Sequence, residues 1–429
     1  MVADLSVASA GVRYDPCVKP FLDDGDVTVY EGDCVEVMAE VPAESVDAVV
    51  CDPPYALAFM GRGWDAYGPR EFQAWCEIWA REALRVLRPG GHLLAFGGTR
   101  TFHRLTCGIE DAGFEIRDCL SWLYGSGFPK SMDVSKAIDR AAGAEREVVG
   151  TKLGQPGYSL TDGNGDHRTY SRGLGNTGTG EAECAVTVPA TDAAREWEGW
   201  GTALKPGWEP IVLARKPLAG TVAANVLAHG TGALNIDGCR IGTHGYTQEE
   251  WTAKGASRPT GTTYGTHRPS DTPLPAGRWP ANVVLDEAAA QALDAQTGDL
   301  HHQDPATRAS KSTATGVTAF TTRTGSPEYA DRGGPSRFFY TAKASTAERN
   351  NGHGPANTHP TVKPVDLMRW CIRLITPPGG TVLDPFGGSG TTGVAARAEG
   401  MRCILIEREA EYLQIIAGRL AQLSLLGGA

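Results

Sequence analysis

Near the C-terminal end of this 429-residue chain, the apolar run Thr381-Val382-Leu383 meets the turn Asp384-Pro385-Phe386-Gly387-Gly388-Ser389-Gly390, and a helical pattern opens at about Thr391. A second apolar run, Arg402-Cys403-Ile404-Leu405-Ile406, ends at Glu407, and helical spacing follows through Tyr412, Ile415, Ile416 and Leu420. This order is one crossover unit of a parallel sheet. Parallel strands are buried on both faces and need neighbours. Only 36 residues follow Gly393, enough for one more strand and helix. The remaining strands must come from far upstream. The N-terminal part offers Val27-Thr28-Val29-Tyr30, leading into Glu31-Gly32-Asp33, and then Val46 to Cys51. Joined end to end, the two parts make one doubly wound α/β sheet, circularly permuted. The strands at 381–383 and 46–51 then flank the topological switch point, where such sheets bind ligands.

The rest of the chain fits this frame unevenly. Phe72, Trp75, Cys76, Trp79, Ala83 and Val86 share one helical face, and Arg88-Pro89-Gly90-Gly91 stops that helix. Both tryptophans are read as core. His92 to Phe96, Cys119 to Tyr124, and Glu209 to Ala214 are further strands. Between the last two, about 140–195 is rich in Gly, Thr and charge and reads as an insertion or loop. From 219 to 350, short apolar pieces (Val222 to Leu227, Asn282 to Leu285, Phe338 to Tyr340) alternate with Gly/Thr/Pro/Ser stretches. Such a region is a loop-rich recognition domain or partly disordered. Order returns at Thr358-His359-Pro360-Thr361-Val362-Lys363-Pro364. A helix follows with Val365, Met368, Ile372 and Ile375 on one face, and Pro364 in its first turn.

Between those frames stands Asp52-Pro53-Pro54-Tyr55, directly after the strand at 46–51. An acid and a backbone carbonyl there can accept both hydrogens of an exocyclic amine, and the ring can stack on a planar base. The prolines lack N–H donors and fix φ, so their carbonyls sit in a stiff geometry. The same tetrapeptide could simply end a strand.

Gly388-x-Gly390-x-x-Gly393 formally matches a dinucleotide fingerprint, with Glu407 placed to accept ribose hydroxyl bonds. A P-loop needs a lysine after the glycines, and Thr391-Thr392 stand there instead. A nicotinamide-binding domain normally has several more strand–helix units after the fingerprint. S-adenosylmethionine fits better: an adenosine for the acidic strand end, a carboxylate for the loop, and no pyrophosphate.

Composition narrows the setting. Net charge is -10, which argues against a general nucleic-acid coat, yet residues 200–350 hold 15 Lys plus Arg against 13 Asp plus Glu. One local nucleic-acid face is compatible with that distribution. Ten scattered cysteines without a C-x-x-C pair fit reduced thiols in a cytosol. His301-His302 lacks matching Cys or His neighbours, so no metal site is expected. No apolar run reaches the ~20 residues of a membrane helix, and Met1-Val2-Ala3-Asp4-Leu5 carries no signal-peptide pattern.

The conjunction of Asp52-Pro53-Pro54-Tyr55, His359 to Pro364, Asp384 to Gly390 and Glu407, in that order, resembles the β group of amino-methylating DNA methyltransferases, the N-4/N-6 DNA methylases. In that family the D/N/S-P-P-Y/F/W motif precedes a target-recognition region, and the F-x-G-x-G motif comes last. The resemblance covers roughly 25–130, 205–218 and 355–425. Gly388 stands where the family commonly has Ala.

The resemblance implies a Rossmann-like, S-adenosylmethionine-dependent methyltransferase fold, permuted, with an inserted loop-rich target-recognition region. It implies a catalytic half at 25–218 (with the insertion at about 140–195), a target-recognition region at 219–350, and a cofactor-binding half at 351–425. Carried over, Asp52 and the Pro53 carbonyl accept hydrogen bonds from the target amine, Pro54 completes the turn, and Tyr55 stacks on a flipped base. Phe386, Gly387, Gly388 and Gly390 line the cofactor pocket beside Asp384. Glu407 binds the ribose, Asp33 sits by the adenine, and Thr361 and Lys363 lie near the methionine end. Trp122 and Phe128 fall where the family has a hairpin beside the base, or else pack in the ordinary way.

The implied reaction is methylation of double-stranded DNA in a prokaryotic or viral-host cytoplasm, without cleavage. The Asp in first position leans toward adenine N6; cytosine N4 is the alternative, ahead of RNA or protein-glutamine methylation. No nucleophilic cysteine is needed, so Cys51 reads as a buried small residue. Homodimerisation and a cognate restriction endonuclease are left open.

Overall fold

The computed structural model describes residues 19–57, 67–125, 127, 131–153, 183–242, 277–297, 334–343 and 362–426. The chain divides into two compact units. One comprises 1–124, 208–354 and 361–429; the other comprises 125–207 and 355–360.

The larger unit is built on a ten-stranded sheet among the described residues. Its strands are β1 (Leu22–Asp23), β2 (Val27–Glu31), β3 (Val46–Cys51), β4 (Leu87–Phe96), β5 (Glu115–Leu123), β8 (Trp208–Arg215), β9 (Val283–Asp286), β10 (Tyr340–Ala342), β11 (Thr381–Asp384) and β12 (Arg402–Glu407). The strands β6 (Val148–Leu153) and β7 (Glu183–Thr187) form a separate antiparallel pair in the smaller unit. The order across the large sheet is β1-β2-β12-β11-β3-β4-β8-β5-β9-β10. From β2 to β4 every pairing is parallel, while β8 runs antiparallel to both β4 and β5. Strand β11 lies directly against β3, with Leu383 opposite Val49. The sheet is therefore doubly wound and permuted as expected, with the switch point between β11 and β3.

Strand β3 is buried at all six positions, so it reads as a near-continuous apolar run rather than an alternating one. Its side chains still split by period two. Ala48 and Val50 join Leu94 and Phe96 on one face, while Val49 and Cys51 join Leu93 and Ala95 on the other. The second face is covered by α1 (Cys34–Glu40), α2 (Pro69–Val86) and α3 (Phe102–Asp111). The first is covered by the helices at Val365–Ile375, Thr391–Ala398 and Ala410–Leu426. The lone acid of β3, Asp47, is 3 % exposed. Its carboxylate accepts the Thr381 N–H at 2.7 Å and meets Arg88 Nη1 at 3.0 Å, which satisfies the charge inside the sheet.

The middle of the chain contributes more regular structure than its composition implies. Val222–His229 is a helix, capped by the Thr221 hydroxyl on the Ala224 N–H and closed by Gly230 at φ 75°. Strands β9 and β10 extend the sheet beyond β5 in parallel. Pro364 stands at the N-cap of its helix, one position before the first turn.

The smaller unit contains the β6–β7 pair and two short helices, α4 (Val134–Ala141) and α5 (Asp192–Glu196). Buried Asp139 ties them together, accepting the Ala190 and Thr191 N–H groups at 3.0 Å and the Arg146 guanidinium at 2.6 Å. The insertion read at 140–195 thus has a folded base; residues 154–182 lie outside the described set.

Candidate active site

The carboxyl edge of the sheet gathers the site. Glu407 ends β12, Asp384 ends β11, Asp52 follows β3 and Phe96 ends β4. Because β8 is antiparallel, its first residues, Trp208 and Glu209, arrive at this same edge.

On one side of the switch point, Glu407 organises the glycine loop. Its Oε2 accepts the Gly388 N–H at 2.6 Å and its Oε1 accepts the Glu409 N–H at 2.8 Å. Burial raises its pKa against those backbone donors. Gly388 and Gly390 have φ of 52° and 78°, and a Cβ on Gly390 would stand 3.1 Å from Ile416. Both features require glycine. The Gly390 N–H closes the loop on the Gly387 carbonyl at 2.7 Å and hands the chain to the helix at Thr391. Buried Arg419 fastens the same loop, donating to the Ser389 carbonyl at 2.7 Å and the Thr391 hydroxyl at 2.9 Å. The Phe386 ring packs on Trp79 at 5.4 Å and Trp75 at 5.6 Å. Asp384 accepts the Phe386 N–H at 3.0 Å and the Thr392 hydroxyl. Burial pushes its carboxyl up to about 8, and the charges of Asp52 and Glu407 add to the shift. Asp33 caps α1, accepting the Val35 N–H at 2.9 Å, and the neighbouring Gly32 N–H reaches the Glu407 carbonyl at 3.1 Å. Thr361 lies outside the described residues.

On the other side of the switch point, Asp52 and Tyr55 fold back on one another. The Tyr55 hydroxyl donates to Asp52 Oδ1 at 2.7 Å. Lys363 Nζ donates to Asp52 Oδ2 at 2.9 Å, to Glu209 Oε2 at 3.1 Å and to Tyr55 Oη at 3.1 Å. All three ammonium hydrogens are thereby used. Burial works against the Lys363 charge, yet the Asp52 and Glu209 carboxylates outweigh it and hold the ammonium above its ordinary range. Burial, reinforced by the same two carboxylates, raises the Tyr55 phenol well above its ordinary value, so the hydroxyl keeps its proton. Thr101 Oγ1 donates to the Tyr55 carbonyl at 2.6 Å, and a Cβ on Gly98 would stand 3.1 Å from the Tyr55 ring. Directly after the motif, Ala56 takes a φ of 54°, a left-handed conformation that costs a non-glycine residue about 1–2 kcal/mol. Such strain is characteristic of functional turns.

The structure thus draws Asp52, Tyr55 and Lys363 into one cluster, and Glu407, Gly387, Gly388 and Gly390 into another. Lys363 contacts the acid rather than the glycine loop. Glu209 is the residue the sequence did not single out; an isolated acid at a strand start carries no motif. Trp122 is half-buried and packs against the core beside Glu209, its pairing partner across β5 and β8. Phe128 and His301-His302 lie outside the described residues. Cys51 is fully buried, and burial raises its thiol well above the ordinary range.

A DNA methylase family model matches residues 46–140 and 270–418, spanning both clusters. The chain belongs to this N6/N4 DNA methylase family. The type II methyltransferase M.HindIII of Haemophilus influenzae is 23% identical over 245 residues, which is 48% of this chain and 64% of that protein. M.HinfI of the same organism is 26% identical over 120 residues, 24% of this chain and 33% of that protein. M2.DpnII of Streptococcus pneumoniae is 51% identical over 65 residues, 15% and 24% of the two chains. This methylase chain therefore matches less than two thirds of the length of these curated relatives. Among solved structures, a complex of M1.HpyAVI with its cofactor shows a TM-score of 0.39 at 16% identity, covering 92% of this chain and 98% of that one. The cytosine-N4-specific PvuII DNA methyltransferase shows 0.44 at 15% identity, covering 94% and 90%. Among the described residues of the methylase, no helix is long and apolar enough to cross a membrane, and no cluster of three or more His, Cys, Asp or Glu could hold a metal ion.

Proposed function

We propose that this methylase transfers a methyl group from S-adenosylmethionine to the exocyclic N6 amine of adenine in double-stranded DNA. The observation that carries the reading is the pairing of β11 with β3. It sets the glycine loop after β11 and Asp52-Pro53-Pro54-Tyr55 after β3 on adjacent strand ends.

The residues of the loop suit the cofactor. The left-handed glycines open the N-terminus of the helix at Thr391, whose N–H groups favour a carboxylate. Glu407 and Asp33, acids at the ends of neighbouring strands, suit the ribose hydroxyls and the adenine amine. S-adenosylmethionine, when bound, supplies an electrophilic methyl on a sulfonium.

The chain's own work is done on the amine. An exocyclic amine is a poor nucleophile because its lone pair is delocalised into the ring. The base must first leave the duplex, at a cost of a few kcal/mol; stacking on the Tyr55 ring offsets roughly 1–3 kcal/mol of it. Asp52 and the Pro53 carbonyl then accept the two amine hydrogens. This draws the nitrogen toward tetrahedral geometry and favours the positive charge that builds there. Tyr55 and Lys363 occupy one lone pair on each Asp52 oxygen, leaving the others for the amine.

Residues 219–350 serve as the target-recognition region in this reading, and DNA is the partner, so the protein acts in the cytoplasm of a bacterium or of a virus-infected host. The decisive experiment incubates duplex DNA with methyl-labelled S-adenosylmethionine, digests it to nucleosides and identifies the modified base. Label in N6-methyladenine is expected. Label in N4-methylcytosine replaces the base assignment, and label confined to RNA or protein overturns the reading.

A further inference from the structure

We infer that Glu209 is a positioning residue for amine methylation, the charge that keeps Lys363 from neutralising Asp52. The inference rests on the methyltransferase reading above. Glu209 enters the carboxyl edge on β8, from the opposite chain direction to Asp52, which follows β3. Its Oε2 lies 3.1 Å from Lys363 Nζ and 3.2 Å from the Tyr55 hydroxyl. Lys363 is thereby divided between two carboxylates, and the cluster holds one negative charge in excess.

That excess matters for the chemistry. Lys363 is nearly buried, with its side chain 9% exposed, so solvent screens its pull only weakly. With Glu209 neutral, the ammonium would act on Asp52 alone. Asp52 would be a fully matched ion pair and a poorer acceptor for the amine hydrogens. The cluster would also offer no surplus negative charge to a nitrogen turning cationic. With Glu209 ionised, Lys363 still orients Asp52 Oδ2, the Tyr55 hydroxyl still orients Oδ1, and the surplus remains. Among the described residues, the other groups facing Lys363 do not supply it. Tyr55 keeps its proton, and the Tyr124 phenol, pushed up to about 12 by burial and then by Glu209, is neutral as well. The Phe96 ring, 5.0 Å from Nζ, is uncharged.

The test compares the full-length wild type with Glu209→Gln, which keeps the shape and removes the charge, and Glu209→Asp, which restores the charge on a shorter arm. Single-turnover methyl transfer to duplex DNA is measured beside S-adenosylmethionine and DNA dissociation constants and thermal melting. Glu209→Gln is expected to slow the transfer step by about 10- to 100-fold. Both dissociation constants and the melting temperature should stay near wild type. Glu209→Asp should recover several-fold over Glu209→Gln. A Glu209→Gln transfer rate within twofold of wild type overturns the inference. So does a loss that appears wholly as weaker binding, or an Asp variant no faster than the Gln variant. A wild type that leaves DNA unlabelled sinks the methyltransferase reading instead, so the two failures are distinguishable.

Discussion

Thr381 donates its backbone N–H to the buried carboxylate of Asp47 at 2.7 Å, across 334 residues of sequence. This bond joins the first residue of β11 to the second residue of β3 and so fixes the two strands whose ends carry the glycine loop and the Asp52 motif. Asp47→Ala leaves the Thr381 N–H without its acceptor and Arg88 without its partner. A loss of about 1–3 kcal/mol in unfolding free energy is expected, allowing for the exposure of Arg88. Chemical denaturation monitored by tryptophan fluorescence checks it.

Asp52→Ala should cut methyl transfer by at least about 10²–10³-fold. Binding of S-adenosylmethionine should be largely spared, because the glycine loop is held by Glu407 and Arg419 rather than by Asp52. Calorimetric titration of the cofactor beside a labelled-methyl assay separates the two effects. Unchanged turnover would discard the mechanism.

Tyr55→Phe keeps the ring and removes the hydroxyl bound to Asp52 Oδ1. The transfer step should slow by roughly tenfold, the worth of one hydrogen bond to a charged group. Tyr55→Ala should be slower still, because the stacking surface is gone as well. Equal rates for the Phe and Ala variants would deny the ring a role.

Gly390→Ala places a Cβ at φ 78° and 3.1 Å from Ile416. The strain of about 1 kcal/mol falls on the loop proposed to hold the cofactor. Affinity for S-adenosylmethionine should drop roughly fivefold or more, with little change in the transfer rate at saturation. An unchanged dissociation constant would mean that the loop does not hold the cofactor.

Asp384 gives the fold a pH signature. Its carboxyl is pushed by burial from an ordinary 3.8 up to about 8. Between those values the folded chain holds a proton that the unfolded chain releases. Its contribution to stability is therefore full below the lower value and lost as pH rises through the upper one. Asp384→Asn removes this dependence, so its melting temperature should fall less than that of the wild type between pH 5 and 8. Parallel melting curves for the two proteins would contradict the assignment.

Much of this architecture was legible because the relevant signals are local. The glycine loop, the acidic strand ends and the helical spacing from Phe72 to Val86 each lie within one element. The permutation followed from asking where two buried strands find neighbours. Other features escaped for physical reasons. Glu209 belongs to a strand whose apolar pattern says where it is buried but not which acid it will meet. Lys363 was placed by its motif, yet its attachment to Asp52 depends on tertiary geometry alone. Strands β9 and β10 are only four and three residues long, so their membership in the sheet is set by pairing rather than by periodicity. The helix at Val222–His229 was within reach, since Thr221 and Gly230 are ordinary cap residues.

The bond between Asp47 and Thr381 also bears on how the protein comes into being. On the ribosome, β3 emerges well before the strand that covers its open side, which is translated 334 residues later. Until then one edge of a largely apolar strand waits without a partner, the situation in which nascent chains aggregate or recruit chaperones. Methylating capacity would therefore arise only after β11 has been made. A chain stalled before β11 would carry the Asp52 motif without the glycine loop that we propose holds the methyl donor.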